Sequence, residues 1–71
     1  GIADCVFVED GKLVIVDYKT DTGVNAEELL ERYSAQLEIY REALSQALEM
    51  PVKETLLYSF YMNSAVKVGT D

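Results

Sequence analysis

Five side chains in this 71-residue chain have types and spacings that suit them to joint chemistry: Asp4, Asp17, Lys19, Gln36 and Tyr40. Two carboxylates brought together on a sheet hold a hard divalent cation through oxygen, and a nearby ammonium steadies charge on a phosphate or orients a water. The rest of the composition narrows the choice. The chain has no His and one Cys, Cys5, so Ser-His or Cys-His nucleophilic pairs and His-containing zinc sites are excluded. Any metal is therefore held by oxygen, which selects Mg²⁺, Mn²⁺ or Ca²⁺. Cys5, with no disulfide partner in the chain, suits a reducing compartment.

The elements that must position these groups can be read from composition. Residues 2–8 and 13–19 are rich in strand formers, and the Asp10-Gly11 pair between them signals a two-residue hairpin turn. Their nearly continuous apolar runs predict strands buried on both faces. With that turn, Glu9 opposes Lys12, Val8 opposes Leu13, Val6 opposes Ile15 and Asp4 opposes Asp17. Alternation then puts Asp4, Asp17 and Lys19 on one face, Lys19 one diagonal step from the pair. Opposed like charges destabilise a sheet by up to about 1 kcal/mol, and a divalent cation between them reverses the sign. Spacing alone leaves a second arrangement open, in which both aspartates are solvated strand ends neutralised by Lys19; a bulge would also part them.

The clearest element is a helix. Asn25 is a good N-cap and Glu28, three residues on, completes a capping-box pair, while Pro51 marks the stop. Leu30, Tyr33, Leu37, Tyr40, Leu44 and Ala47 form an apolar stripe that predicts a helix lying on a sheet. Gln36 and Tyr40, four residues apart, share one face. They turn either toward the acidic edge of the sheet or, more plainly, toward solvent (Gln36) and core (Tyr40). After Pro51, Thr55 to Met62 reads as a third strand, Asn63-Ser64 as a turn and Ala65 to Val68 as a short fourth strand. The expected fold is a single α/β (α+β) domain over residues 1–71, ordered β-β-α-β-β. Cys5 should point into the core, opposite to Asp4. Asp21 suits either the turn after Lys19, the commoner role, or a place near a phosphate, and Glu27, Glu28 and Glu31 favour the helix dipole.

At 49% apolar residues, with five Tyr and two Phe, the chain should fold rather than remain disordered. No apolar run approaches the ~18 residues of a membrane span, so no membrane partner is expected. Thirteen acidic residues against six basic ones give a net charge of −7. That balance opposes free-standing nucleic-acid binding, which depends on phosphate neutralisation.

Three stretches resemble consecutive motifs of the RecB-like branch of the PD-(D/E)xK nuclease superfamily. They are Gly1-Ile2-Ala3-Asp4-Cys5-Val6-Phe7, Val16-Asp17-Tyr18-Lys19-Thr20-Asp21 and Gln36-Leu37-Glu38-Ile39-Tyr40. The resemblance covers essentially the whole chain and extends to the C-terminal nuclease domains of bacterial ATP-dependent helicase/nuclease subunits. It implies a partial restriction-endonuclease-like core, a fragment of a larger chain whose first helix and strand, ATP-using motor domains and partner subunit lie elsewhere. It implies Asp4 and Asp17 as ligands of Mg²⁺ (or Mn²⁺), the Tyr18 carbonyl as a further ligand, Lys19 as the catalytic lysine, and Gln36 and Tyr40 as the helical motif beside the site. It further implies exonucleolytic hydrolysis of DNA in double-strand-break repair and recombination, in the bacterial cytoplasm. The basic surface that follows DNA would lie in the remaining parts, and the fragment alone would expose apolar surface and self-associate. The alternative from a different class is a small acidic protein-interaction module without catalysis.

Overall fold

In the computed structural model, which describes residues 4–69, the chain runs β1 (Cys5–Glu9), β2 (Lys12–Lys19), α1 (Ala26–Leu48), β3 (Val52–Ser59) and β4 (Ser64–Val68). The four strands form one mixed sheet in chain order, with β1/β2 and β3/β4 antiparallel and β2/β3 parallel. A parallel neighbour cannot follow a tight turn, and α1 supplies the crossover.

The hairpin forms as its turn residues require. Asp10 and Gly11 both take positive φ, 54° and 75°, the backbone of a type I′ turn whose twist matches the strands. The register follows: Glu9 pairs with Lys12, Val8 with Leu13 and Val6 with Ile15. The expectation of burial on both faces holds for β2 and fails for β1. In β1, Val6, Phe7 and Val8 are 38%, 45% and 54% exposed. β1 is the sheet edge, paired on one side only, whereas α1 packs against β3 and β4. Cys5, expected in the core, is accordingly half-buried.

The capping box of α1 closes in both directions. The Glu28 N–H donates to Asn25 Oδ1 at 2.8 Å, and the Asn25 N–H donates to Glu28 Oε1 at 3.0 Å. The helix ends at Leu48, with Glu49 left-handed at φ 53°, ahead of Pro51, which disfavours helical backbone in its predecessor. The buried face differs in detail from the expected stripe. Leu29 and Leu37 are sealed against Val24, Leu57 and Val68, with Leu30, Tyr33, Met62 and Val66 around them, while Ala47 is exposed.

The third strand starts and ends earlier than Thr55 to Met62. Phe60-Tyr61-Met62 is strand-like by composition, but Phe60 to Asn63 form the turn, with Ser59 Oγ accepting the Met62 N–H at 3.0 Å and Asn63 at φ 54°. Ser64 thus opens β4 instead of completing a turn. On the sheet face away from α1, the rings of Tyr18, Tyr58 and Phe60 cluster, Tyr58 in T-shaped contact with the other two and its centroid 5.4 Å from that of Phe60.

Candidate active site

The hairpin, continued one residue beyond its last ladder pair (Cys5 with Val16), brings Asp4 to Asp17. The Asp4 N–H donates to the Val16 carbonyl at 3.1 Å, and Asp4 Oδ2 accepts the Tyr18 N–H at 2.9 Å. The edge strand is thereby tied to β2 through the Asp4 side chain as well as its backbone. Asp17 sits on the α1 side of the sheet, its neighbour in β3 being the fully buried Leu57. It is 3% exposed, an unusual place for a carboxylate unless it is paired. Its partner is Lys19, whose Nζ lies 3.0 Å from Asp17 Oδ2.

The two carboxyl groups titrate in opposite directions. The Tyr18 amide, followed by a hydrogen bond with Asp17, holds Asp4 below the usual carboxylate range. Burial pushes Asp17 up; the hydrogen bond from Lys19 opposes this, and Asp4 adds to it. One aspartate is thus held charged at the rim while the other is desolvated beneath it. The donors are all oxygen, which suits a hard cation such as Mg²⁺ that retains waters and phosphate oxygens in its remaining positions. Among the described residues, no third acidic, His or Cys side chain joins them in a group able to hold a metal.

Lys19 is also held by Tyr33, a residue given no part in the site by the sequence, where it belonged to the apolar stripe and to the stretch of resemblance before Gln36. Its Nζ lies 3.9 Å from the centroid of the Tyr33 ring, well within cation–π range. The Tyr33 hydroxyl donates to Asp21 Oδ2 at 2.7 Å, and Arg32 pairs with the same oxygen at 2.8 Å. Tyr33 above all, then Arg32, holds Asp21 below the usual carboxylate range, and Asp21 in turn raises the Tyr33 phenol. Asp21 therefore does more than occupy a turn: it ties the β2–α1 loop to the helix. The signal available in the sequence was the Arg32-Tyr33 pair, one turn ahead of Gln36, carrying a guanidinium and a hydroxyl at the edge of the apolar stripe.

Gln36 and Tyr40 lie on the same helix, Gln36 exposed and Tyr40 half-buried. Among the described residues, neither hydrogen-bonds to Asp4, Asp17 or Lys19. The structure brings together Asp4, Asp17, Lys19 and the Tyr18 backbone, and leaves the Gln-x-x-x-Tyr motif further along α1.

Known proteins carry a similar sequence. The chain is 41% identical over 70 residues to the ATP-dependent helicase/nuclease subunit of Lachnoclostridium phytofermentans, and 41% identical over 68 residues to the protein of the same name from Clostridium botulinum strain 657. Each alignment covers 96% of this chain and 5% of the relative. The chain thus spans about one-twentieth of the length of these relatives. Residues 1–69 match the PD-(D/E)XK nuclease superfamily, a span that takes in all five elements of the fold. On that match and those identities, the chain belongs to the PD-(D/E)xK nuclease superfamily.

Proposed function

We propose that this chain is the metal-binding core of a Mg²⁺-dependent deoxyribonuclease, in which Asp4 and Asp17 are the protein's carboxylate ligands and Lys19 acts at the scissile phosphate. The observation that carries the reading is the buried Asp17–Lys19 pair beside Asp4, a cluster that is expensive as architecture. A buried ion pair rarely repays its desolvation, and a second carboxylate alongside adds repulsion. The two carboxylates, with the Tyr18 carbonyl as a further donor, would hold the cation. Once bound, the cation supplies Lewis-acid polarisation of the phosphodiester and shields its charge from the carboxylates. Lys19 supplies a fixed positive charge close to Asp17, suited to orienting a water and to offsetting charge at phosphorus. Gln36 and Tyr40, further along α1, would act on the DNA rather than on the metal.

The relatives are named as subunits of a helicase/nuclease, and we place this chain in the nuclease part of such a protein. There it would degrade DNA exonucleolytically during break repair and recombination, in the bacterial cytoplasm. ATP-driven unwinding and the partner subunit belong to other parts of the assembly. No helix among the described residues is long and apolar enough to cross a membrane.

The test is DNA cleavage and unwinding by the full-length protein with Asp17→Asn or Lys19→Ala. Cleavage should fall by about 10²-fold or more, as for loss of one preorganised electrostatic group, with unwinding retained. Undiminished cleavage in both variants would sink the nuclease assignment to these residues and favour an acidic docking module.

A further inference from the structure

A lysine at the end of a strand has four rotatable methylenes and three donors, and nothing in its own chemistry fixes where its charge sits. Lys19 is the last residue of β2, yet its side chain is only 19% exposed and is held from two sides. One side is Asp17; the other is the face of the Tyr33 ring, 3.9 Å from Nζ. A ring in that position attracts the ammonium through its quadrupole and restricts it without competing for its hydrogen bonds. It keeps its hold on Lys19 whatever else the Asp17 carboxylate engages.

The ring is itself fixed. Its hydroxyl donates at 2.7 Å to Asp21, which follows Lys19 by two residues in the loop toward α1. Arg32, the preceding helical residue, grips the same carboxylate oxygen. A short closed circuit results: β2 carries Lys19, the loop carries Asp21, and α1 returns Tyr33 over the lysine. A phenol that donates to a carboxylate also shifts electron density into its ring, which strengthens the attraction for the cation. Tyr33 also packs against the core that Leu29 and Leu37 seal, but packing alone does not require its ring to lie over the ammonium or its hydroxyl to meet Asp21.

We infer that Tyr33 is a positioning residue for Lys19, its ring holding the ammonium toward Asp17 while Asp21 fixes the ring. The inference rests on the nuclease reading above and assigns Tyr33 no contact with the substrate.

The experiment compares full-length proteins carrying Tyr33→Phe, Tyr33→Leu and a series of progressively fluorinated phenylalanines at position 33. Fluorination preserves ring shape while weakening the quadrupole, so a packing role leaves every member of the series alike. Tyr33→Phe should retain kcat for DNA cleavage within about threefold, and kcat should fall stepwise with fluorination by up to about tenfold, the range such contacts supply. KM for DNA, unwinding rate and melting temperature should hold across the series. In metal-free protein, acylation of Lys19 by an amine-directed reagent, read by peptide mass spectrometry, should be several-fold faster in Tyr33→Leu and only modestly faster in Tyr33→Phe, which keeps the ring but loses its tie to Asp21. A flat kcat across the fluorinated series, or equal Lys19 labelling in all variants, would overturn the positioning role while leaving the nuclease intact. Cleavage by Lys19→Ala equal to that of wild type would instead remove the nuclease reading and this role with it.

Discussion

At the residue scale, the opposed titration of Asp4 and Asp17 carries a stability consequence. Asp17 is raised above its ordinary value of 3.8, chiefly by burial, so its charged form is less at home in the fold than in the unfolded chain. A carboxylate raised in this way contributes stability below the unfolded value, and that contribution is lost as pH rises through the folded value. Replacing it with a neutral amide removes the loss. Asp17→Asn should therefore melt with the wild type at pH 3 and progressively above it as pH climbs past 3.8, in metal-free buffer. A wild type that remains the more stable partner at neutral pH would show that the Lys19 pair outweighs burial. The same substitution that stabilises the fold should abolish cleavage, as is common where a site is built at the expense of stability.

At the element scale, legibility from the sequence tracked how local the determining physics is. The hairpin register was readable because Asp10 and Gly11 are residues that tolerate positive φ, and a two-residue turn leaves one pairing. The helix start was readable because Asn25 and Glu28 satisfy each other's backbone amides. Asn25→Ala should accordingly cost about 1 kcal/mol and lower the melting temperature of a domain this size by about 4–8 °C, followed by far-ultraviolet circular dichroism. An unchanged melting curve would show that tertiary packing alone holds the first turn. Features decided by docking were not readable. Periodicity favoured Leu30 where the sheet seals Leu29, and the apolar Phe60-Tyr61-Met62 run concealed a turn closed by Ser59. Of the site, the acidic pair and Lys19 followed from hairpin geometry. The link from Tyr33 to Asp21 arises only when α1 lands on the sheet, and nothing in residue spacing announces where a helix will land.

At the scale of the whole molecule, the fold is uneven. One side of the sheet is covered by α1, while Phe7, Tyr18 and Phe60 remain about half exposed elsewhere on the molecule. The crossover through α1 also orders events in time. Asp4 and Asp17 meet within a local hairpin, whereas Leu57 and α1 reach Asp17 only through the distant β2–β3 pairing, and local contacts form before distant ones. On that order we expect the acidic pair to be assembled while still wet and to be dehydrated late, on the native side of the folding barrier. Interactions absent from a transition state act on the rate of unfolding rather than folding. Saturating Mg²⁺ should then slow unfolding in stopped-flow denaturant jumps and leave refolding nearly unchanged. A faster refolding limb would mean that the pair is already dehydrated at the barrier. The ion would in that way act as a latch, closing on a structure that has already formed and lengthening its lifetime.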